Sequence, residues 1–243
     1  MEVLFGKNSI LEAVEYGIPI KQVLISEGLK NRESILEKIA AASPGITITK
    51  ASRKQIEGLS RGGRTGGICA ILNELKYAAS LESLIKLSYK KTETPLLLVL
   101  DEIQDPRNFG AIIRTALAAG FHGIVFPKHR QVGVTGIVAT TSAGACFKIP
   151  LCEVTNLARS IEKLKENGFW IYGTAVEDSV PVYSIKFNTP LALVIGSEGK
   201  GIRRLTRQKC DDIVSIPISP EINSLNASVA AGIFIFEIKR QLT

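Results

Sequence analysis

The chain has 243 residues, 45% hydrophobic and 22% charged, which suits a water-soluble globular protein of one large domain or two modest ones. Its 30 Lys and Arg against 23 Asp and Glu leave a net charge of +7, favouring an anionic partner, nucleic acid before membrane. No apolar run approaches the roughly 20 residues that cross a bilayer, and the start MEVLFGKNS lacks a signal-peptide pattern, so a cytoplasmic, unprocessed protein is expected rather than a membrane or secreted one.

Residues 1–76 read as a small α/β domain. GKNSILEAVEYG carries Ile10, Leu11 and Val14 at helical spacing, KQVLISE and GITITKA read as strands, and ESILEKIAAAS is a helix between them. GICAILNEL is a further strand after the SRGGRTGG loop. Residues 77–94 are polar and read as a linker holding one short amphipathic helix. From Pro95 onward the strands PLLLVLDEI, GIVFP, FWIYGTAV, LALVIG and DIVSIPI are longer and more apolar. Between most of them lie the helical stretches FGAIIRTALAAG, NLARSIEKLKENG and LNASVAAGIFIFEIKRQ. This alternation predicts a mostly parallel sheet covered on both faces over 95–243, with ligands at the loops beyond the strand carboxyl ends.

Three of those loops carry candidate chemistry. In DEIQDPRNFGAIIRTALAAG, Asn108 is placed to cap a helix made mostly of small and apolar residues, and Arg114 sits in its middle. A guanidinium there either snorkels to solvent, pairs with a carboxylate or meets a ligand; Gly110 and Ala118 on the same face leave room for close approach. In IGSEGKGIRR, Gly196, Gly199 and Gly201 permit positive φ and close backbone approach, yet the loop matches neither the Walker nor the dinucleotide pattern. In IPISPEINSLNAS, Ser224, Asn226 and Ser228 cluster at the opening of an apolar helix, as caps or as a hydrogen-bonding floor for a ligand. His122 and His129 read as structural or solvated. Cys69, Cys146, Cys152 and Cys210 form no C-x-x-C pair, so buried thiols are expected rather than a zinc site or a disulfide framework. No metal is expected, since no cluster of hard ligands lies near these loops.

Taken in order, NFGAIIRTA, LVIGSEGKGI and IPISPEINSLNASVAAG resemble the three signature motifs of the SpoU (TrmH-type) RNA ribose 2′-O-methyltransferases of the SPOUT superfamily. The front block, LFGKNSILEAV to GICAILNEL, is similar to the small RNA-binding domain of ribosomal-protein-like fold that precedes the catalytic domain in many members. The resemblance implies an α/β methyltransferase domain with a parallel sheet and a deep trefoil knot, S-adenosylmethionine as methyl donor, and a homodimer with its active site near the subunit interface. It implies Arg114 as the catalytic arginine, supported by Asn108, Glu198, Ser224 and Asn226. The donor pocket would involve Thr174, Ala175, Gly196, Gly199, Ile216 and Leu225. RNA contacts would come from Lys7, Arg61 and Arg64. Relatives often carry His-Gln-Gly where this chain has Thr65 to Gly67, and a basic residue just before SAGA that is missing here; Lys128 and Arg130 lie nearby.

The implied function is methylation of a ribose 2′-hydroxyl in RNA, with a guanosine of 23S ribosomal RNA as the expected target. A transfer-RNA ribose methyltransferase is the alternative within the family. An RNA-binding ribosome-assembly factor that no longer transfers methyl groups is the alternative outside catalysis.

Overall fold

The computed structural model describes residues 3–15, 18, 20–29, 31–42, 45–60, 65–72, 78 and 80–242. The chain forms two compact units, Met1–Lys76 with Val134–Lys148, and Tyr77–Gly133 with Ile149–Thr243.

The first unit opens with β1 (Val3–Phe5), α1 (Lys7–Glu15), β2 (Ile20–Ile25), α2 (Arg32–Ala42), β3 (Thr47–Lys50), α3 (Arg53–Leu59) and β4 (Ile68–Leu72). Its sheet runs β1-β4-β2-β3, with β4 antiparallel to both neighbours and β2 parallel to β3. The helical spacing of Ile10, Ala13 and Val14 buries one face of α1. Val23 and Ile25 of β2 join Cys69 and Ala70 of β4, Ile35 and Ile39 of α2, and Ile56 of α3 among the buried residues. Helix α3 is not among the elements expected from the sequence. Its signal was there as a capping box: Gln55 N–H donates to Ser52 Oγ at 3.3 Å, and Ser52 N–H donates to Gln55 Oε1 at 2.8 Å.

The chain continues through α4 (Leu81–Lys91), β5 (Leu96–Asp101), α5 (Pro106–Ala118), β6 (Gly123–Pro127), α6 (Gly136–Thr141), β7 (Leu151–Val154) and α7 (Leu157–Glu166). It ends with β8 (Trp170–Thr174), β9 (Val180–Pro181), β10 (Leu191–Gly196), α8 (Arg204–Arg207), β11 (Asp212–Ser215) and α9 (Ala227–Gln241). The second unit's sheet has the order β7-β6-β5-β10-β8-β11-β9, and every pairing is parallel. Strands β5 and β10, side by side in the middle, are buried at every residue. Their unbroken apolar runs therefore mark a sheet covered on both faces.

Two segments fall elsewhere than composition indicates. Leu81, Leu84 and Ile85 of α4, spaced three and one apart, sit in the core of the second unit, so the helix inside the 77–94 stretch is built into that unit and does not float as a linker. Residues 134–148 join the first unit, where α6 lies close against β1. A side chain at Gly136 would collide with the carbonyl of Val3, and Thr140 Oγ1 donates to the Phe5 carbonyl at 3.2 Å. That contact was invisible in the local pattern because it is made 135 residues away in the chain.

Candidate active site

Helix α5 begins with Asp105 as its cap: the carboxylate accepts from Arg107 N–H at 2.6 Å, and Pro106 takes the first helical position, where no N–H is needed. Asn108, expected as the cap, is thereby displaced into the first turn, and its buried carboxamide is free for other work. Its Nδ2 donates to Glu198 Oε2 at 3.4 Å, and its Oδ1 accepts from Asn226 Nδ2 at 3.0 Å. Asn226 Nδ2 also donates to Glu198 Oε1 at 2.6 Å. The orientation of Asn226 follows from its second task. Its Oδ1 caps α9 by accepting from Ser228 and Val229 N–H at 2.9 and 3.3 Å, which turns the NH₂ group towards the carboxylate. Three residues from three distant motifs thus close one network.

Glu198 stands on the loop after β10. Ser197 and Gly201 exchange both backbone hydrogen bonds at 3.1 and 3.0 Å, and Gly199 and Gly201 take φ of +81° and +65°. A side chain at Gly196 would run into the backbone of Gly201 and Ile202, so this glycine is required for the loop to fold back on its strand. The loop is then anchored. Arg203 N–H donates to Asp101 Oδ2 at 3.0 Å and Arg203 Nε to Asp101 Oδ1 at 2.7 Å. Asp101 is fully buried at the end of β5, while Glu102, at φ +64°, faces Arg203 at 3.3 Å and Arg130 at 3.7 Å. This anchor is not among the contacts expected from the sequence. Its signal was a carboxylate closing a strand of five consecutive apolar residues, which demands a buried partner.

Strands β10, β8 and β11 are adjacent, so Gly196, Thr174 and Ile216 lie at one edge of the sheet, at or just beyond strand carboxyl ends. Thr174 Oγ1 donates to the Val194 carbonyl at 3.0 Å and Ala175 N–H to the Val214 carbonyl at 3.1 Å. Thr174, Ala175, Ile216 and Leu225 are all half-buried. Leu225 directly precedes the cap Asn226. Ser224 is exposed and takes no part in the Asn108–Glu198–Asn226 network.

Arg114 lies on the same helix as Asn108 and is exposed, with neither an ion pair nor a hydrogen bond among the described residues. Of the readings open to it, the internal carboxylate pair is not what the fold makes. Arg107, seven residues earlier and also exposed, continues the same stripe. His122 is structural: its Nδ1 accepts from Leu96 N–H at 3.0 Å, and burial pushes its pKa down. Lys128 and His129 are exposed. In the first unit, Lys7 is exposed at the start of α1, while Arg61 and Arg64 lie outside the described residues. Among the described residues, no group of three or more His, Cys, Asp or Glu is arranged to hold a metal, and no helix is long and apolar enough to cross a membrane.

Known proteins resemble this chain along nearly its whole length. The model of the SpoU rRNA Methylase family matches residues 95–236, and that of RNA 2′-O ribose methyltransferase substrate binding matches residues 3–78. YacO of Bacillus subtilis, assigned to the TrmH family of tRNA/rRNA methyltransferases, is 40% identical over 240 residues, covering 99% of this chain and 96% of that protein. The structure of the SpoU methyltransferase AviRb from Streptomyces viridochromogenes, in complex with AdoMet, superimposes with a TM-score of 0.83 at 25% identity, covering 99% of this chain and 89% of that one. The AdoMet-bound rRNA methyltransferase from Sinorhizobium meliloti gives 0.81 at 25% identity over 100% and 88%. The A. aeolicus TrmH/SpoU tRNA modifying enzyme gives 0.56 at 26% identity, but over only 66% of this chain and 81% of that one.

Proposed function

The chain belongs to the SpoU rRNA methylase family of RNA methyltransferases, and from that premise we propose that it methylates a ribose 2′-hydroxyl of RNA with S-adenosylmethionine as donor. The observation that carries this reading is the hydrogen-bonded meeting of Asn108, Glu198 and Asn226, one residue from each of three sequence motifs, on the helix that also presents an unpaired Arg114.

The residues at the sheet edge fit the donor. Ile216 and Leu225 are apolar yet only half-buried, leaving surface for a purine ring. Thr174, Ala175, Gly196 and Gly199 bring backbone groups at the strand ends within reach of its polar edge. The donor, when bound, supplies a sulfonium methyl that is already strongly electrophilic. What the protein must add is placement of the 2′-oxygen in line with that methyl and stabilisation of the negative charge that develops on it. Arg114 does this with a planar fork of donors, holding an RNA phosphate and the 2′-oxygen together while the proton passes to phosphate or water. A guanidinium, all donors and no acceptor, does not take that proton itself. Glu198 orients the two carboxamides, and Ser224 is available to substrate at the open side.

The loop 197–203 and the segment leading into α9 form the deep trefoil knot of the family in this reading. Val229 and Phe236, 51% and 52% exposed on α9 with half-buried Ile233 between them, form a stripe covered by a second copy in a homodimer. The target is a guanosine of 23S ribosomal RNA in the cytoplasm. Ribosomal RNA is favoured over transfer RNA because the solved rRNA enzyme aligns with both units, whereas the tRNA enzyme aligns with only 66% of the chain.

Mapping of ribose methylation in ribosomal and transfer RNA from a deletion strain, with and without the restored gene, tests the assignment. One ribose in 23S RNA losing its methyl group is the expected result, and unchanged RNA overturns it. Arg114→Lys keeps the charge but loses the fork, and single-turnover methylation should fall roughly tenfold or more.

A further inference from the structure

The first unit contains a pocket of about 730 Å³ whose walls include Ser26, Gly28, Lys50, Ala51, Arg53 and Gly67. Its size falls within the roughly 300–1,000 Å³ of small-ligand sites. It opens beyond the carboxyl ends of the parallel strands β2 and β3, at the start of α3 and beside the turn that enters β4. The walls are stitched together by backbone: Ala51 N–H donates to the Ile25 carbonyl at 3.0 Å and Ser26 N–H to the Gly67 carbonyl at 2.9 Å.

We propose that this pocket receives one unpaired nucleotide of the RNA substrate; the inference rests on the methyltransferase reading above and adds a recognition site remote in sequence from the catalytic motifs. Ser26 is 7% exposed, and its hydroxyl, which is not sealed from the pocket, makes no hydrogen bond to the described residues. A hydroxyl in that position is matched by a ligand that both donates and accepts, as base edges do. At the rim, Lys50 pairs with Glu27 at 3.5 Å, but both side chains are largely exposed, so the pair is weak and Lys50 can turn to a phosphate. Arg53, 76% exposed, has its Nε edge on Glu57 at 2.9 Å, which leaves the flat guanidinium face for a base to stack on. Leu29 and Ala51 are the apolar residues of the lining, too little to anchor a protein partner. A paired helix cannot enter, because its bases face inward, so the pocket selects a loop or bulge.

The test uses the full chain and 23S RNA transcript free of modification. A side-chain carbon at Gly28 meets nothing within 4 Å, so Gly28→Trp places a ring in open space and plugs the pocket. RNA affinity should fall by roughly tenfold or more, while calorimetric affinity for S-adenosylmethionine stays unchanged. Photo-cross-linking of the wild type should join one nucleotide to the segment Ser26–Leu29 or Lys50–Arg53. Undiminished RNA affinity in Gly28→Trp, with cross-links elsewhere, overturns the proposal. So does binding of free guanosine monophosphate in the pocket as tightly as RNA, which marks a metabolite site. If Gly28→Trp does not fold, Ser26→Ala combined with Lys50→Gln replaces it with the same expected loss. Cross-linking at the pocket by a chain that binds no donor and methylates no RNA would sink the enzymatic reading and leave this one standing.

Discussion

Arg203 holds the carboxylate of Asp101 twice, with its backbone N–H at 3.0 Å and its Nε at 2.7 Å. The pair joins the end of β5 to the residue that leaves the glycine loop, so the loop bearing Glu198 is fixed at its far end by a fully buried charge. Arg203→Met leaves the backbone bond but strips the carboxylate of its cation. The Arg203 side chain is 42% exposed, so solvent screens part of the loss. Unfolding free energy should drop by about 1–2 kcal/mol in urea titration, and amide exchange should quicken across residues 197–202. A variant as stable as the wild type, with equal protection in the loop, would show that the anchor is idle.

Asn226 both caps α9 and bridges to Glu198, and the two roles separate by substitution. Asn226→Ala loses both, at a cost of about 1 kcal/mol for the cap. Asn226→Ser restores a capping oxygen but cannot reach the carboxylate with an NH₂ group. Thermal denaturation should therefore rank the serine variant close to the wild type, while methylation by both variants falls together. Full activity in Asn226→Ser would mean that the bridge has no part in the reaction.

The exposed apolar stripe of α9 gives a direct assay of assembly. Phe236→Glu puts a charge at one end of the stripe assigned to the second copy. Light scattering should find a dimer for the wild type and a monomer for the variant. A wild type that is already monomeric at micromolar concentration contradicts the assignment.

Near the end of α9, Arg240 Nη2 and Nε donate to Glu237 at 2.7 and 2.9 Å and Gln241 Nε2 at 2.8 Å, holding its carboxyl at about 2. A carboxyl lowered in the folded state stabilises that state fully above its unfolded value and loses the effect as pH falls through the folded one. The stability gap between wild type and Glu237→Gln should thus be constant near neutrality and shrink between about pH 4.5 and 2. Because Arg240 is largely exposed, salt should narrow the gap as well. Denaturant titrations across that range check both, and a gap independent of pH rules out the pairing.

Much of the second unit was readable because its physics is local. Five consecutive apolar residues in β5, or the run Leu191–Ile195 in β10, are of strand length, and they are strands buried at every residue. The three loops at their ends were equally visible, and Asn108, Glu198 and Asn226 do meet. Of what the sequence hid, one part is local and the other long-range. Asp105 takes the cap that Asn108 was expected to supply, because Pro106 shifts the helix start. Asp101 looked like the tail of a strand until Arg203, about a hundred residues on, arrived to neutralise it. The glycine loop itself was legible: close approach at Gly196 is expected from its residues, and the backbone that comes close is the loop's own, at Gly201 and Ile202.

The passage of residues 134–148 through the first unit bears on any attempt to dissect the molecule. The peptide chain crosses between units after residues 76, 133 and 148, so neither unit is a continuous stretch. A fragment ending at residue 76 would lack the Gly136 turn that covers the Val3 carbonyl and the Thr140 hydroxyl that satisfies Phe5. Excising the front piece therefore uncovers the main chain of β1, and a soluble stand-alone version calls for residues 134–148 to be grafted on through a designed tether.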